Sequence, residues 1–418
     1  LVDRTARAIS LSETGRKLVA DLSQAMSMSP GAAPTPVRVE DVARALEGHL
    51  LYDRNVHYRI TTKTNTAGEL VIVSEATGRD LTGQRWEQGL AQAVEAKERL
   101  QIKGENTAFA KIGVRDLLRG EFEEFAGMSG TVSMPIARRE FGKLFEKRVT
   151  PIPAHFEKLR EVRPTQLVST TGQKLEYLAQ QDIELTRQTG GAPVLITMRT
   201  IDDGMALHQL IQEHLQQLQA NGQQGDVHRQ VLHAAVEGDD PMIIESAGRI
   251  NTITVATNMA GRATDVKLPD LGQMRQLAGQ VLSAPTLTAF NELVHGFERA
   301  ANERTMTVGQ LPARRQQIDD FFASQTTGRT GQDRADLQRL QQMVTVKFGY
   351  GLQLLREINR SSREDVQNIG RVARQADPGA AQLVLALDGA DWDIMRAGLY
   401  DAGGMFRAAA DGTLKGLL

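Results

Sequence analysis

At 418 residues the chain has room for roughly two or three domains, each with a sizeable core. A hydrophobic content of 41%, a charged content of 24% and a net charge of -2 describe an ordinary folded protein and argue against a strongly basic nucleic-acid binder. The absence of cysteine excludes a disulfide framework, a thiol nucleophile and a Cys-based zinc site, and no run approaches the ~20 apolar residues that cross a bilayer. The chain opens on Leu1 rather than Met, without a basic-then-apolar signal segment. The expectation is a piece of a longer reading frame.

In chain order, SLSETGRKLVADL places a Ser/Thr–Glu cap ahead of Leu18, Val19 and Leu22 at helical spacing. Pro30, Gly31, Pro34 and Pro36 then mark a loop. Val39 to Leu51 reads as an amphipathic helix, and His57–Thr61 with Glu69–Ser74 as a hairpin. Following a helix, Phe125 to Val132 (FAGMSGTV) sets two Gly and two hydroxyl residues in a tight loop.

From Val149 strand and helix patterns alternate. Pro193–Met198 is a continuous apolar run, as a strand buried on both faces requires. Met205, Leu207, Leu210, Ile211, Leu215 and Leu218 mark an amphipathic helix. Val227–Leu232 is a second strand, Pro241–Ala247 a helix and Ile253–Ala256 a third strand. This order predicts an α/β fold with a parallel, RecA-like sheet flanked by helices. Residues 269–348 are helical by pattern: Leu271, Met274, Leu277, Val281 and Leu282 form one stripe, Leu287, Phe290, Leu293, Val294 and Phe297 another. Core packing is the expected role of these stripes. Leu383–Leu387 is the closing strand, and the tail to Leu418 is rich in Gly and Ala.

Two stretches carry candidate chemistry. ITVATNMAGRATDV (253–266) runs from an apolar strand through a Gly turn to a cation and a carboxylate three positions apart, Arg262 and Asp265. An α/β sheet presents polar groups to ligands in this way, although the same two residues can also form an intramolecular ion pair capping a helix. Farther on, Gln367, Gly370, Arg371, Arg374, Gln375 and Asp377-Pro378-Gly379 close the pattern. Three apart, Arg371 and Arg374 are expected one helical turn from each other, aimed at one point or forming a solvated helix face. The eight His residues are scattered, no metal site is expected, and Asp202 and Asp203 read as a helix cap.

ATNMAGR followed by Thr264 and Asp265 resembles a signature of the SecA family, the ATPase motors of bacterial preprotein translocation. TGR (77–79), Gly83–Trp86, Gly89–Glu98, AGMSGT, VLITMRTID and IIESAG are similar to further segments of that family. The resemblance covers most of 1–268 and 349–391. It implies that 1–125 is the C-terminal portion of a first RecA-like nucleotide domain and 126–268 the first part of a second. On the same grounds 269–348 is an enlarged helical variable insertion, 349–391 the closing part with the arginine motif, and 392–418 a tail. Departures are Ser74, Ala76, Ala263, Ile369, Ala373 and Ala376, the last two standing where the family has glycine, and the segment around Arg356 to Arg360.

The resemblance further implies that Arg371 and Arg374 act as arginine fingers, that Arg262, Asp265 and Gly261 contact nucleotide, and that Gln367 couples the two domains. It implies ATP and Mg as cofactors, but only where a first nucleotide half is present: G-x-x-x-x-G-K-[ST] does not occur here, nor does a DEAD-like acidic run. The chain alone is therefore not expected to hydrolyse ATP. Implied partners are preprotein substrates and the SecY channel at the membrane, with a homodimer as one assembly state and no nucleic acid. The implied location is cytoplasmic, peripheral to the inner membrane. A degenerate, non-hydrolysing SecA-like binding or scaffold module is the alternative; a helicase-like nucleic-acid motor fragment is weaker, because basic–aromatic interleaving is missing.

Overall fold

A computed structural model describes residues 2–3, 8–27, 37–61, 68–73, 80–81, 83–105, 112–130, 132, 135–222, 228–232, 243, 245–257, 266–359 and 362–400. The chain divides into two compact units, Leu1–Gly113 and Val114–Leu418.

The first unit holds a two-strand ladder, β1 (Val2–Asp3) with β2 (Ala8–Ile9), and helices α1 (Glu13–Ser27) and α2 (Val39–Leu51). A three-stranded antiparallel sheet, β3 (Tyr58–Thr61), β4 (Glu69–Val73) and β5 (Asp80–Leu81), is followed by α3 (Leu90–Lys97). The expected hairpin and the Val39–Leu51 helix are both present. Tyr58, Leu90 and Val94 form the core, with Tyr52, Leu70 and Trp86 packed against them. Gly48 lets α2 and α3 approach closely, since a Cβ there would lie 3.2 Å from the Ala93 side chain. The Tyr58 hydroxyl donates to Glu98 at 2.5 Å; burial first, and then that carboxylate, push its ionisation well above the usual tyrosine value.

The second unit is built on an all-parallel sheet ordered β6-β12-β11-β8-β10-β9. Its strands are β6 (Arg160–Val162), β7 (Gln166–Val168), β8 (Val194–Met198), β9 (His228–Leu232), β10 (Thr252–Thr257), β11 (Leu352–Arg356) and β12 (Gly379–Ala386). β6 and β7 both pair with β12, β6 along Gly379–Ala381 and β7 along Val384–Ala386. Pro164 lies between them, and a proline that cannot donate to a ladder is tolerated at an edge.

β8 is buried at every position. Val194, Ile196 and Met198 face α6 (Thr171–Gln188) and α7 (Ile201–Ala220) through Leu178, Ile183, Leu207 and Ile211. Each such side chain contributes about 1.5–3 kcal/mol by leaving water. On the other face, Leu195, Ala256, Leu352 and Leu354 pack with Val372, and Val266 and Leu268 lie against them. Thr170 caps α6 by accepting from Gln173 N at 3.2 Å, and Thr200 caps α7 by accepting from Asp203 N at 3.1 Å. The cap is thus Thr200; Asp202 and Asp203 occupy the first turn, where the helix dipole favours negative charge.

The insertion comprises helices Leu271–Val281, Ala284–Asn302, Leu311–Thr326 and Gly331–Val344. Its apolar stripes meet in a core of their own containing Phe290, Val294, Phe297, Ile318, Phe322, Leu337 and Leu340. The α/β fold with a parallel sheet, flanking helices and a helical insertion is therefore as the sequence implied. The expected Pro241–Ala247 helix lies largely outside the described residues, as do the turn and polar residues after Thr257, Gly261, Arg262 and Asp265 among them.

Candidate functional site

β11 leads through Glu357 and Asn359 to a helix, Ser362–Ile369, and a loop then returns the chain to β12. Arg371 and Arg374 sit on that loop. They are not on a helical face, because the helix ends at Gly370, where a Cβ would lie 2.9 Å from the Val366 carbonyl oxygen. Turns take over: Arg371 N donates to Asn368 O at 3.2 Å and Asp377 N to Arg374 O at 2.9 Å. Ala373, Gln375 and Ala376 adopt left-handed backbone, with φ of 59°, 53° and 63°.

Val372 anchors the loop by plugging into the apolar cluster of β8, β10 and β11. Arg160, at the start of β6, donates to the Val372 carbonyl from Nη2 at 3.1 Å and from Nε at 3.4 Å. Gly379 allows the return, since a Cβ there would stand 2.4 Å from Val372 Cγ1. Leu352, Gly379 and Arg160 lie opposite one another at the first positions of β11, β12 and β6, so the loop occupies the amino-terminal edge of the sheet.

The anchored loop holds Arg371 at 5% exposure. Its Nε and Nη2 have no hydrogen-bond partner among the described residues. Burial, and secondarily the positive charge of Arg374, bring its ionisation down to about 10, so it remains a cation at neutral pH. Arg374 folds back, Nε donating to Gly370 O at 2.9 Å. Beside it lies a cleft of about 600 Å³ lined by His155, Glu157, Lys158, Arg160, Gln367 and Gln375 together with Arg374. The structure thus brings together Arg371, Arg374 and Gln367. Gly261, Arg262 and Asp265 fall outside the described residues, although Val266, next in sequence, packs in the same cluster as Val372.

Basic groups at the start of β6 and just ahead of it were not singled out from sequence, since His155, Lys158 and Arg160 carry no period and no motif. A second group that sequence reading missed lies where β8 and β11 end. Lys174 of α6 reaches both Glu357 and Asp391, and Arg199 reaches Asp391. Arg199 N donates to Glu357 at 2.7 Å and Ala386 N to Asp391 at 3.0 Å. Burial alone would raise the Asp391 carboxyl, but Arg199 and Lys174 outweigh it and hold it below the usual carboxylate value. With two cations and two carboxylates mutually satisfied, this group ties elements together and leaves no charge for a ligand. The Arg371 loop differs: Arg371 is a buried cation with Nε and Nη2 unpartnered among the described residues, and its neighbours Gly370, Ala373 and Arg374 line an open cleft. Chemically it can accept an anion and neutralise negative charge developing on a transferred group. No cluster able to hold a metal ion occurs among the described residues.

A family model described as the SecA P-loop domain matches residues 158–402, and one described as the SecA preprotein cross-linking domain matches residues 1–95. The chain is 30% identical over 350 residues to protein translocase subunit SecA of Hydrogenobaculum sp., covering 84% of this chain and 32% of that protein. It is 30% identical over 391 residues to the subunit of Chloroflexus aggregans, covering 93% and 34%. For the Deinococcus radiodurans subunit the figures are 29% over 403 residues, covering 94% and 42%. The chain thus spans between 32% and 42% of the length of these relatives.

Proposed function

Because the chain belongs to the SecA family, we propose that it is the part of an ATP-driven preprotein-translocation motor that supplies the second half of an interdomain ATP site. The observation that carries this reading is the buried guanidinium of Arg371, whose Nε and Nη2 have no partner among the described residues. An uncompensated buried cation destabilises the fold by several kcal/mol, and negative charge developing on a phosphoryl group transferred from a facing domain offsets that cost. Arg371 and Arg374 then face the phosphoryl group, Gln367 lines the same cleft, and Gly261, Arg262 and Asp265 contribute to the nucleotide contacts. The first half of the site would bring ATP with Mg, whose chemistry is phosphoryl transfer to water. This chain's own residues neutralise charge and orient, and an arginine in that role is worth roughly a thousandfold or more in rate.

The match of 1–95 to a preprotein cross-linking domain supports preprotein substrates as partners. The SecY channel, a homodimeric state and a cytoplasmic position peripheral to the inner membrane belong to the same reading. Among the described residues no helix is long and apolar enough to cross a membrane, which is compatible with a peripheral role.

Pairing the chain with a nucleotide domain that carries a phosphate loop tests the proposal. Arg371→Ala should abolish ATP turnover while leaving ATP binding nearly intact, and unchanged turnover would remove Arg371 from the role. A specific observation favours a second reading, a non-hydrolysing SecA-like binding module: Ala373 and Ala376 occupy left-handed positions where the family has glycine. Preprotein binding without any turnover in the same paired assay would select it.

A further inference from the structure

The helix Gly331–Val344 does not end at Val344 but widens into a π-turn over Thr345–Tyr350, from which Gly351 leads into β11. A π-turn accommodates an extra residue and re-aims the side chains it carries. Within it, Lys347 Nζ lies 2.9 Å and 3.0 Å from the two carboxylate oxygens of Asp377, with both side chains less than a fifth exposed. Asp377 closes the arginine loop, its backbone N–H donating to Arg374 O at 2.9 Å.

The π-turn is itself held. Arg315, on the insertion helix Leu311–Thr326, donates from Nε to Gly349 O at 2.8 Å and stacks 4.1 Å from the Tyr350 ring centroid. The same guanidinium pairs with Glu161 of β6 at 2.9 Å. Gly351 brings the turn against the loop backbone to backbone, since a Cβ there would fall 1.7 Å from Pro378 O. The loop, in contrast, carries three left-handed non-glycine residues, a conformation that persists only where its surroundings fix it.

We propose that Lys347 is a positioning residue for the arginine loop: by gripping Asp377, the helical insertion fixes the turn on which Arg371 and Arg374 are presented. The functional meaning rests on the phosphate-facing reading of those arginines. The grip itself is a property of the chain without nucleotide. An ion pair this sheltered is screened less than one on the surface, and it joins two segments that are otherwise in contact through backbone.

Amide hydrogen exchange of the whole chain, followed by mass spectrometry without nucleotide, tests the proposal. Lys347→Met should speed exchange across residues 371–377 on the order of tenfold, with peptides from β8 and β10 changed by less than about twofold. Lys347→Arg should restore slow exchange, because it keeps the cation. Unchanged exchange of the loop in Lys347→Met, equal acceleration across the sheet, or a Lys347→Arg variant as fast as Lys347→Met would each overturn the proposal. Should Lys347→Met not yield folded protein, Asp377→Asn removes the same pair from the other end and is read by the same outcomes. With no nucleotide present, failure here leaves the phosphate-facing reading intact, and that reading is decided separately by the turnover of Arg371→Ala.

Discussion

Lys174 and Glu357 meet in a fully buried ion pair, although 183 residues separate them in the chain. The pair brings the first turn of α6 to the end of β11, and Asp391 adds the helix Gly389–Tyr400 to the same point through a 3.0 Å contact with Lys174. Removing one partner strands the others in a setting of low polarity. Lys174→Met should therefore destabilise the second unit by about 3–5 kcal/mol, read as a lowered urea midpoint. A shift smaller than about 1 kcal/mol would mean that water reaches the group and the burial argument fails.

The elements that could be read from sequence were those whose period or run length is enforced by burial. Pro193–Met198 reads as a strand because both faces of β8 are covered, so apolar residues follow one another without alternation. The insertion stripes read as core because each helix lays one face on the Phe290–Phe322 cluster. The arginine loop was misread as helical since a three-residue spacing fits a helix and the exit at Gly370 leaves no periodic trace. Lys174 was invisible for a different reason. A lysine beside Leu175 and Leu178 looks like the margin of an amphipathic helix, and only the fold brings its two carboxylates from 183 and 217 residues away.

Ala373 and Ala376 hold left-handed backbone that an L-residue with a Cβ adopts at a penalty of roughly 1–2 kcal/mol. Glycine removes the penalty but adds freedom to the unfolded chain, an offset of about 0.4–1 kcal/mol. Ala373→Gly and Ala376→Gly should each stabilise the chain by about 0.5–1 kcal/mol, visible as a higher denaturation midpoint. The reverse change at Gly379, Gly379→Ala, should destabilise by about 1–3 kcal/mol, since its Cβ would collide with Val372 at 2.4 Å. If both Ala→Gly variants lose stability, the left-handed assignment of the loop is wrong.

Asp182 faces inward from α6, fully buried, with neither carboxylate oxygen partnered among the described residues. Burial raises its ionisation well above the ordinary carboxyl value of 3.8. The folded state therefore holds this proton more tightly than the unfolded chain. Its contribution to stability is full below the unfolded value and is lost as pH rises toward the folded one. The difference in unfolding free energy between wild type and Asp182→Asn should shift against the wild type as pH is raised from 4 to 8 (roughly the range between the ordinary carboxyl value and a strongly raised one). Urea titrations of both proteins at several pH values measure it. Parallel stability curves would show that Asp182 ionises freely.

Arg371 sets stability against function at a single side chain. Its guanidinium is a buried cation whose ionisation is lowered to about 10, so the penalty is fully present at neutral pH and eases only as pH rises through that value. Replacing it with an apolar side chain of similar length removes the unpaired charge. Arg371→Met should therefore raise the stability of the chain without nucleotide by about 1–4 kcal/mol, the range seen when buried ionic groups give way to packed apolar ones. In the paired two-domain assay the same variant should lose at least about a thousandfold in turnover. A gain in stability together with a loss in turnover is the signature of a site kept charged for an anion it does not itself contain. A variant that lost stability would instead point to a structural partner for the guanidinium, and Arg371 would then be one more strut of the loop.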